Sequence, residues 1–354
     1  MKCFIIDFKS ISFTKFKVHG GGDFALRAVD FLISLDKTFY IINNSTEFFK
    51  EYSVSDIKDI SVNLSDYEIY YFNPLYQGGD NNDFQYTTKY IYIHGLRMLE
   101  MPYDSTSHKY FKFPENIKTF IKGFALKNYY NKSGKNLLEE VDKLKGSKVI
   151  LTPSEHSKYM MESSYNLKSK ILVLPPFLSL KYLDSNKDLP TKKNYILMLN
   201  GDRWVKNSYR FLQAFSALKS QGKLTDIDLV MVGIPIFKNK FESKDIHFID
   251  YVEREYLEKL MKNCYFLAYP SLNEGFGYPP LDCFKYSKPV LSTSLSSPNI
   301  LYNGQVVFTN PYSVDEIKSR MLYLVDNYET YRNGKIYYNE VTNLINSKWQ
   351  KIFY

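Results

Sequence analysis

The chain has 354 residues, more than one ordinary hydrophobic core accommodates, and this length predicts two domains. Apolar residues make up 44% and charged residues 24% of the sequence, a composition that excludes a disordered chain. The formal net charge of +8 favours an anionic partner, and it does not distinguish phosphate, nucleic acid and membrane lipid.

The cysteines and the N-terminal residues bear on the compartment of the protein. Cys3, Cys264 and Cys283 form an odd set without metal-type spacing, which is typical of packed thiols in a reducing compartment. The N-terminal apolar run is too short for a signal peptide, and Asp7 interrupts it. No stretch reaches the roughly 18 apolar residues of a membrane-spanning helix. The sequence therefore predicts a cytoplasmic protein, with a peripheral position at the inner face of the membrane as an open alternative.

Short apolar runs alternate with helical patterns along the whole chain, an order typical of parallel α/β units. The first half contains five strand candidates, with the sequences CFIIDF, TFYIIN, YEIYYF, YIYIHG and KVILTPS. The second half contains six, with the sequences YILMLNG, DLVMVG, IHFIDY, YFLAYP, KPVLST and GQVVFT. Two such series predict two doubly wound, Rossmann-like domains.

The domain limits follow from a stretch without clear periodicity. Residues 175–194 are rich in Pro, Lys and Asp, which is typical of a linker. We therefore predict an N-terminal Rossmann-like domain over residues 1–176, a linker over 177–193 and a C-terminal Rossmann-like domain over 194–335. Residues 336–354 have a helical pattern, and we expect this C-terminal helix to pack back on the N-terminal domain.

Three glycines precede the first helical pattern. Gly20, Gly21 and Gly22 at the start of an amphipathic helix predict an N-terminus that accepts an anion. As part of a Gly-x-Gly-x-x-Ala series they also raise the hypothesis of a dehydrogenase. That hypothesis is the weaker one, because the glycines stand about twelve residues after the first strand. In addition, the next strand ends in Asn43 and Asn44, where a ribose-binding acid is expected.

His94 closes the strand candidate YIYIHG. Ligands of open α/β sheets bind at the carboxyl ends of the strands, so a histidine at this position is a candidate functional residue. A structural role explains it equally well.

Residues 105–148 form a strongly basic segment, with ten Lys against four acidic residues. Its first helical pattern places Ile117, Phe120, Ile121 and Phe124 on one side with lysines alongside. This pattern suits a surface that contacts an anionic membrane. A core-facing helix with a solvated lysine face is the equally plausible alternative.

The second half contains a candidate phosphate site. A strand ends at Gly201, a short turn carries Arg203 and Lys206, and a helical pattern begins near Ser208. The N–H groups of the helix N-terminus and two side-chain cations would converge on a phosphate there.

Two carboxylates follow the strand candidate YFLAYP. Glu274 lies just past the end of this strand, beside Gly275 and Gly277, which allow close backbone approach. Two prolines then indicate the start of a helix, which would place Asp282 in the first turn. Paired carboxylates at the carboxyl edge of a sheet can accept hydrogen bonds from the vicinal hydroxyls of a sugar or a ribose. If Asp282 only caps its helix and Glu274 is solvated, the pair has no such role.

The stretch PSLNEGFGYPPLDCFKYSKPVLS resembles the signature of the retaining GT-B glycosyltransferases of family 4 (group 1), in which two glutamates stand eight positions apart. Here the second acid is an aspartate. The resemblance extends to GDRWVKN, to HFIDYVEREYLEKLMKNCYFLAYPS and to LTPSEHSKYMMESSYNL, and it includes the glycines at 20–22, His94 and Trp349. It is specific in the second domain and looser in the first.

This resemblance implies two Rossmann-like domains that face each other across a cleft, the first on the acceptor side and the second binding a nucleotide-sugar. The implied catalytic residues are Glu274, His94, Arg203 and Lys206. The implied donor-binding residues are Gly20, Gly21, Gly22, Gly201, Asn207, Tyr251, Gly275, Phe276, Gly277 and Asp282.

We therefore expect a metal-independent, retaining glycosyltransferase without a cofactor. It would move a sugar from a nucleoside-diphosphate-sugar to a glycan or lipid-linked acceptor in cell-surface polysaccharide synthesis. A catalytically silent sugar-nucleotide-binding partner and a GT-B nucleotide-sugar epimerase are the alternatives. Nucleic-acid binding would explain the charge but not the paired carboxylates. We also expect Glu274→Ala to abolish transfer and to leave the fold intact.

Overall fold

The computed structural model describes residues 2–8, 20–34, 39–42, 67–76, 86–101, 103–125, 127–178 and 185–353. The chain divides into two compact units. The first unit consists of Met1–Leu99, Asn131–Ser179 and Thr342–Tyr354, and the second of Glu100–Tyr130 and Leu180–Val341. Residues 100–130 thus group with the second unit, which the strand pattern does not predict. The domain limits drawn from the sequence stay predictions.

The described part of the first unit contains a six-stranded parallel sheet in the order β2-β1-β3-β4-β5-β6. Its strands are β1 (Lys2–Asp7), β2 (Phe39–Ile42), β3 (Glu68–Asn73), β4 (Thr88–Tyr92), β5 (Lys148–Thr152) and β6 (Lys170–Val173). The strand order reverses between β1 and β3, which is the topological switch point of this sheet. Strand β6 is absent from the five candidates recognised in the sequence.

The second unit also contains a six-stranded parallel sheet, within the same described ranges, in the order β12-β11-β10-β7-β8-β9. Its strands are β7 (Asn194–Met198), β8 (Ile227–Val232), β9 (Ile246–Ile249), β10 (Phe266–Tyr269), β11 (Val290–Thr293) and β12 (Val307–Thr309). This is the strand order of a Rossmann sheet, with its switch point between β7 and β10. The prediction of two doubly wound α/β sheets is confirmed.

Helices connect many of these strands in the described chain. They are α1 (Gly20–Ser34), α2 (Arg97–Glu100), α3 (Glu115–Ala125), α4 (Lys127–Lys143), α5 (Glu155–Ser164), α6 (Ser208–Ser220), α7 (Arg254–Asn263), α8 (Tyr278–Phe284), α9 (Ser296–Leu301), α10 (Val314–Asp326) and α11 (Gly334–Phe353). None of them combines the length and the apolar composition needed to cross a membrane.

The core of the second unit lies between its sheet and the helices, as the sequence pattern requires. All six residues of β8 are buried, which is typical of a parallel strand covered on both faces. Helix α6 buries Phe211, Leu212, Phe215 and Leu218, the four residues that its periodicity places on one face. This packing fixes the loops that follow β7 and β10 at the carboxyl edge of the sheet.

Candidate active site

The switch point of the second sheet brings together two charged side chains from distant parts of the sequence. Strands β7 and β10 are paired in parallel, with Ile196 opposite Phe266. Lys206 lies on the loop after β7 and Glu274 on the loop after β10, and Lys206 Nζ is 2.5 Å from Glu274 Oε1. Ligands of such sheets bind outside the strand ends at this point. The pair therefore marks the candidate active site.

The local sequence explains how Lys206 reaches this position. After β7 the chain makes a short 3-10 turn, Trp204–Lys206, and then Asn207 adopts a left-handed conformation with φ of 63°. Helix α6 begins at Ser208, as the sequence indicates. Gly201 is required for packing, because a Cβ there would lie 2.7 Å from the carbonyl oxygen of Gly233.

Burial and charge keep the Lys206–Glu274 pair ionised. The two side chains are 9% and 14% exposed. Burial alone would raise the pKa of the Glu274 carboxyl, but the Lys206 ammonium and several hydrogen bonds outweigh it, so this pKa lies below its usual value. Tyr269 lies under the pair and accepts a hydrogen bond from Lys206 Nζ at 3.3 Å. Burial and the Glu274 carboxylate raise the pKa of Tyr269 well above its usual value, so its hydroxyl stays protonated.

Arg203 supplies a second cation on the same turn. In the described parts of the chain its guanidinium makes no hydrogen bond or ion pair, which leaves it available to an anion. The neighbouring Asp202 accepts a hydrogen bond from Tyr251 Oη at 2.6 Å. Burial and the Asp202 carboxylate raise the pKa of Tyr251, and the positive charge of Arg203 lowers it, so the three side chains share one neighbourhood. Tyr251 thus lies at the end of β9, beside the turn.

The loop after β10 turns sharply in front of α8. Gly277 has φ of 94°, and it forms the N-cap of α8. Ser296 accepts a hydrogen bond from the Glu274 N–H at 3.0 Å. The hydroxyl of the buried Tyr302 donates to the carbonyl of Gly277 at 2.5 Å. Within the described ranges the N–H groups of Phe276 and Gly277 have no acceptor, so they can donate to a ligand.

Asp282 does not occupy the place that the sequence predicts. Helix α8 begins at Tyr278 and has no acidic residue in its first turn, so Asp282 lies in the second turn. The prolines lie in the first turn, as the sequence indicates, and Asp282 follows that turn. Burial raises the pKa of Tyr302, and Tyr337, Asp282 and Glu274 raise it further, so both carboxylates lie near this ring.

The amide of Asn207 is engaged entirely by protein groups. Asn207 is fully buried, and its Nδ2 donates to the carbonyls of Pro270 at 3.2 Å and Pro311 at 2.6 Å. Its Oδ1 accepts from Arg210 at 3.0 Å. The N–H of Tyr209 in the first turn of α6 is likewise bonded to another protein group. The side chains of Arg203 and Lys206, more than the N-terminus of α6, are therefore what this turn offers to a phosphate.

The remaining predicted residues lie in the first unit. Gly20, Gly21 and Gly22 form the first turn of α1. His94 follows β4, and its ring contacts Phe24 of α1 edge-on, with 5.1 Å between the ring centroids. His94 Nε2 is 2.8 Å from the carbonyl oxygen of Pro74. Burial lowers the pKa of His94 to about 4, so the imidazole is neutral at physiological pH.

Sequence reasoning missed several residues that shape this site. Tyr269, Ser296 and Tyr302 have no motif of their own, and their contacts with Glu274 and Gly277 exist only in the folded chain. Tyr269 closes β10 directly before the loop, and this position could have identified it. Over the described residues, no group of three or more His, Cys, Asp or Glu side chains lies close enough together to hold a metal ion.

Part of the chain is similar to known glycosyltransferase sequences. Residues 183–339 match the family model described as glycosyl transferases group 1. The O-antigen chain mannosyltransferase RfbU of Salmonella typhimurium is 26% identical over 176 residues. That alignment covers 48% of this chain and 48% of RfbU, so the matched region spans about half the length of that relative.

Solved structures show the same fold at low sequence identity. Sucrose-phosphate synthase from Thermosynechococcus elongatus superposes with a TM-score of 0.67 at 11% identity, over 100% of this chain and 98% of that chain. HepE of Anabaena, solved with UDP and glucose, superposes with a TM-score of 0.67 at 9% identity, over 99% of both chains. The predicted GT-B fold class is confirmed.

Proposed function

We propose that this protein is a metal-independent, retaining glycosyltransferase of family 4, which transfers a hexosyl or deoxyhexosyl group from a nucleoside-diphosphate-sugar. The observation that carries the proposal is the contact of Lys206 with Glu274 at the switch point, next to the available guanidinium of Arg203. Two cations and a carboxylate at one strand edge suit a ligand that carries both a diphosphate and sugar hydroxyls.

Each residue then has a defined part in binding the donor. Arg203 and Lys206 neutralise the charge that develops on the leaving diphosphate, which is the role a metal ion fills in other enzymes. Glu274 and the N–H groups of Phe276 and Gly277 hold the sugar. Asp282 binds the ribose hydroxyls, and Tyr251 lies beside the nucleobase.

Retention follows from attack on the same face of the sugar. The bond between the anomeric carbon and the diphosphate oxygen breaks, and the acceptor oxygen bonds to the anomeric carbon on the face that the diphosphate leaves. The proton of the acceptor hydroxyl passes to the departing phosphate oxygen. Glu274 does not act as a covalent nucleophile in this scheme, because its carboxylate is already paired with the Lys206 ammonium.

The comparisons favour a nucleoside diphosphate as the donor's leaving group and a cell-surface glycan as the product. HepE binds UDP and glucose, and RfbU is a mannosyltransferase of the O-antigen chain. We propose by analogy a glycan or lipid-linked acceptor in polysaccharide synthesis.

The basic segment 105–148 supports a cytoplasmic location at an anionic membrane surface. On α3 and just before it, Phe113, Ile117 and Ile121 are exposed by 78%, 49% and 58%. Lys112 and Lys122 lie beside them and are exposed as well. An outward apolar face flanked by lysines is the pattern of a helix that lies in the headgroup region of a bilayer.

Thermal melting with UDP, GDP, dTDP, CMP and NAD tests the donor site. A ligand at a hundred times its dissociation constant adds about 2.7 kcal/mol, which raises the melting temperature by roughly 5–10 °C. We expect one nucleoside diphosphate to stabilise the protein, Arg203→Ala to remove this shift, and Lys244→Ala, which removes an exposed cation elsewhere in the second unit, to retain it. Stabilisation by NAD alone would overturn the proposal, and so would the absence of a shift with every ligand of the panel.

A further inference from the structure

A polar network buried within the second unit ties residues 104–106 to helix α6. The guanidinium of Arg210 binds both carboxylate oxygens of Asp104, at 2.9 Å and 3.1 Å. The two residues are 8% and 5% exposed. Thr106 donates to the same carboxylate from its N–H at 2.8 Å and from its hydroxyl at 2.5 Å. A two-point ion pair of this kind fixes the orientation of the guanidinium plane.

The same guanidinium also reaches Asn207. Arg210 Nη1 donates to Asn207 Oδ1 at 3.0 Å. Because Oδ1 faces Arg210, Nδ2 of the same amide faces away from it. Asn207 Nδ2 then donates to the carbonyls of Pro270 and Pro311. The amide therefore joins the loop after β7 to the loops after β10 and β12. Asp104, Arg210 and Asn207 are called the polar network below.

The polar network adjoins Lys206 in the chain. Lys206 ends the 3-10 turn directly before Asn207, whose left-handed conformation sets the direction in which the turn meets α6. A non-glycine residue at positive φ needs surrounding contacts to hold it there. The buried amide of Asn207 has such contacts on three sides, and the guanidinium of Arg210 supplies one of them.

We propose that Asp104 and Arg210 are positioning residues that act through Asn207 to hold the ammonium of Lys206 where the diphosphate of the donor binds. The statement that Lys206 meets the diphosphate rests on the proposed function. The statement that the network holds the turn does not, because it can be measured on the free protein.

Tyr110 provides a matched control. Its hydroxyl accepts from the N–H of Tyr209 at 2.8 Å and pairs with Ser208 Oγ at 3.1 Å. It anchors the same stretch to the same helix and is likewise buried, but the hydrogen bonds of the Asn207 side chain go to Pro270, Pro311 and Arg210 and not to Tyr110. Loss of this anchor lowers stability without releasing the amide.

The experiment compares Asp104→Asn with Tyr110→Phe by hydrogen exchange and by nucleotide binding. Three backbone N–H groups report on the turn, because each donates to a carbonyl within it: Arg203 to Asn200, Lys206 to Arg203 and Asn207 to Trp204. We expect Asp104→Asn to speed the exchange of these amides about tenfold. The same variant should bind the stabilising nucleoside diphosphate about tenfold more weakly, which is the effect of losing one charge-assisted contact. Tyr110→Phe should lower the melting temperature and change neither quantity.

A double variant distinguishes loss of the network from a general folding defect caused by an unpaired buried charge. Asp104→Asn leaves a buried guanidinium without its counter-charge, whereas Asp104→Asn with Arg210→Gln removes both charges. The double variant should show the same fast exchange and weak binding. Equal exchange of the turn in Asp104→Asn and Tyr110→Phe would overturn the proposal, and so would unchanged affinity in Asp104→Asn. If the wild-type protein binds no nucleotide of the panel, the proposed function fails, and the exchange result still decides whether the network holds the turn.

Discussion

At the scale of single residues, Lys206 and Glu274 each have a structural role in their ion pair and a proposed role in donor binding. In the free protein each neutralises the other in a buried position. In the proposed function, Lys206 also faces the diphosphate of a bound donor, and Glu274 faces the sugar hydroxyls. On that proposal the pair serves folding as well as chemistry. The expectation that Glu274→Ala leaves the fold intact is revised for this reason, because it would leave a buried ammonium without a partner.

The prediction for this pair separates these two roles. Removal of one partner of a buried ion pair costs about 3–5 kcal/mol, whereas replacement of both by neutral side chains of similar size is close to neutral. We expect Glu274→Gln to lower the melting temperature and to reduce transfer by roughly 10²- to 10³-fold. The double change Lys206→Met with Glu274→Gln should recover stability and stay inactive. Melting curves and initial rates measure the two effects.

Nucleotide affinity adds a further check on Glu274. Without the carboxylate, the ammonium of Lys206 has only the diphosphate as a counter-charge. Glu274→Gln should therefore bind the nucleoside diphosphate at least as tightly as the wild-type protein does. Near wild-type turnover in this variant would contradict the site assignment.

At the scale of secondary-structure elements, α3 is unusual because its apolar residues Ile117, Phe120 and Ile121 are exposed. Gly123 of this helix packs against Tyr103, because a Cβ at Gly123 would lie 2.2 Å from the Tyr103 ring. Phe120 is half-exposed and contacts His108 edge-on at 5.3 Å. The amphipathic pattern of this helix was visible in the sequence, but the direction of its apolar face was not. That direction depends on a glycine that permits close packing on the opposite side.

Vesicle binding tests the proposed role of α3. Replacement of Phe113, Ile117 and Ile121 by Ser removes apolar surface that would enter the bilayer, so binding to vesicles that contain phosphatidylglycerol should weaken at least about tenfold. Ile336→Ser with Leu344→Ser, which alters equally exposed apolar residues on α11, should bind like the wild-type protein. Sedimentation at low and high salt measures binding, and salt should weaken it because lysines contribute.

Equal binding of the three-residue variant and the wild-type protein would contradict this role for α3. Equal binding to vesicles of phosphatidylcholine alone would contradict the contribution of the lysines.

The elements that could be predicted from the sequence are those with a local signal. Runs of β-branched and aromatic residues identify eleven of the twelve described strands, and the glycine and proline positions locate the loop before α8. Strand β6 was missed because its four residues, Lys170–Val173, merge with the proline-rich stretch that follows. The polar network could not be predicted, since Asp104 and Arg210 are distant in sequence and neither belongs to a motif.

At the scale of the whole molecule, the chain leaves the first unit and returns to it. Helix α11 begins in the second unit, and residues from Thr342 onward belong to the first. Trp349 is fully buried, and its ring contacts Phe24, Phe31 and Phe72 of the first unit. Its Nε1 donates to the carbonyl of Pro175 at 2.7 Å. The last residues of the chain are thus part of the first core.

This arrangement predicts which part of the molecule Trp349 stabilises. Removal of a large buried aromatic side chain costs about 3–5 kcal/mol, which lowers the melting temperature of a unit of this size by roughly 10 °C. We expect Trp349→Ala to separate calorimetric melting into two transitions. The new lower transition should not shift with the stabilising nucleoside diphosphate, because the candidate donor site described above lies in the second unit.

Phe215→Ala is the matched control for this experiment, since Phe215 is a fully buried aromatic residue of the second core. In that variant the transition with the lowered melting temperature should be the one whose melting temperature the nucleotide raises. A single transition in Trp349→Ala that responds to the nucleotide as in the wild-type protein would mean that the C-terminal residues do not stabilise the first unit separately. If the lower transition of Trp349→Ala shifts with the nucleotide and the upper one does not, the nucleotide binds in the first unit. The assignment of Arg203 and Lys206 to the diphosphate would then be wrong as well.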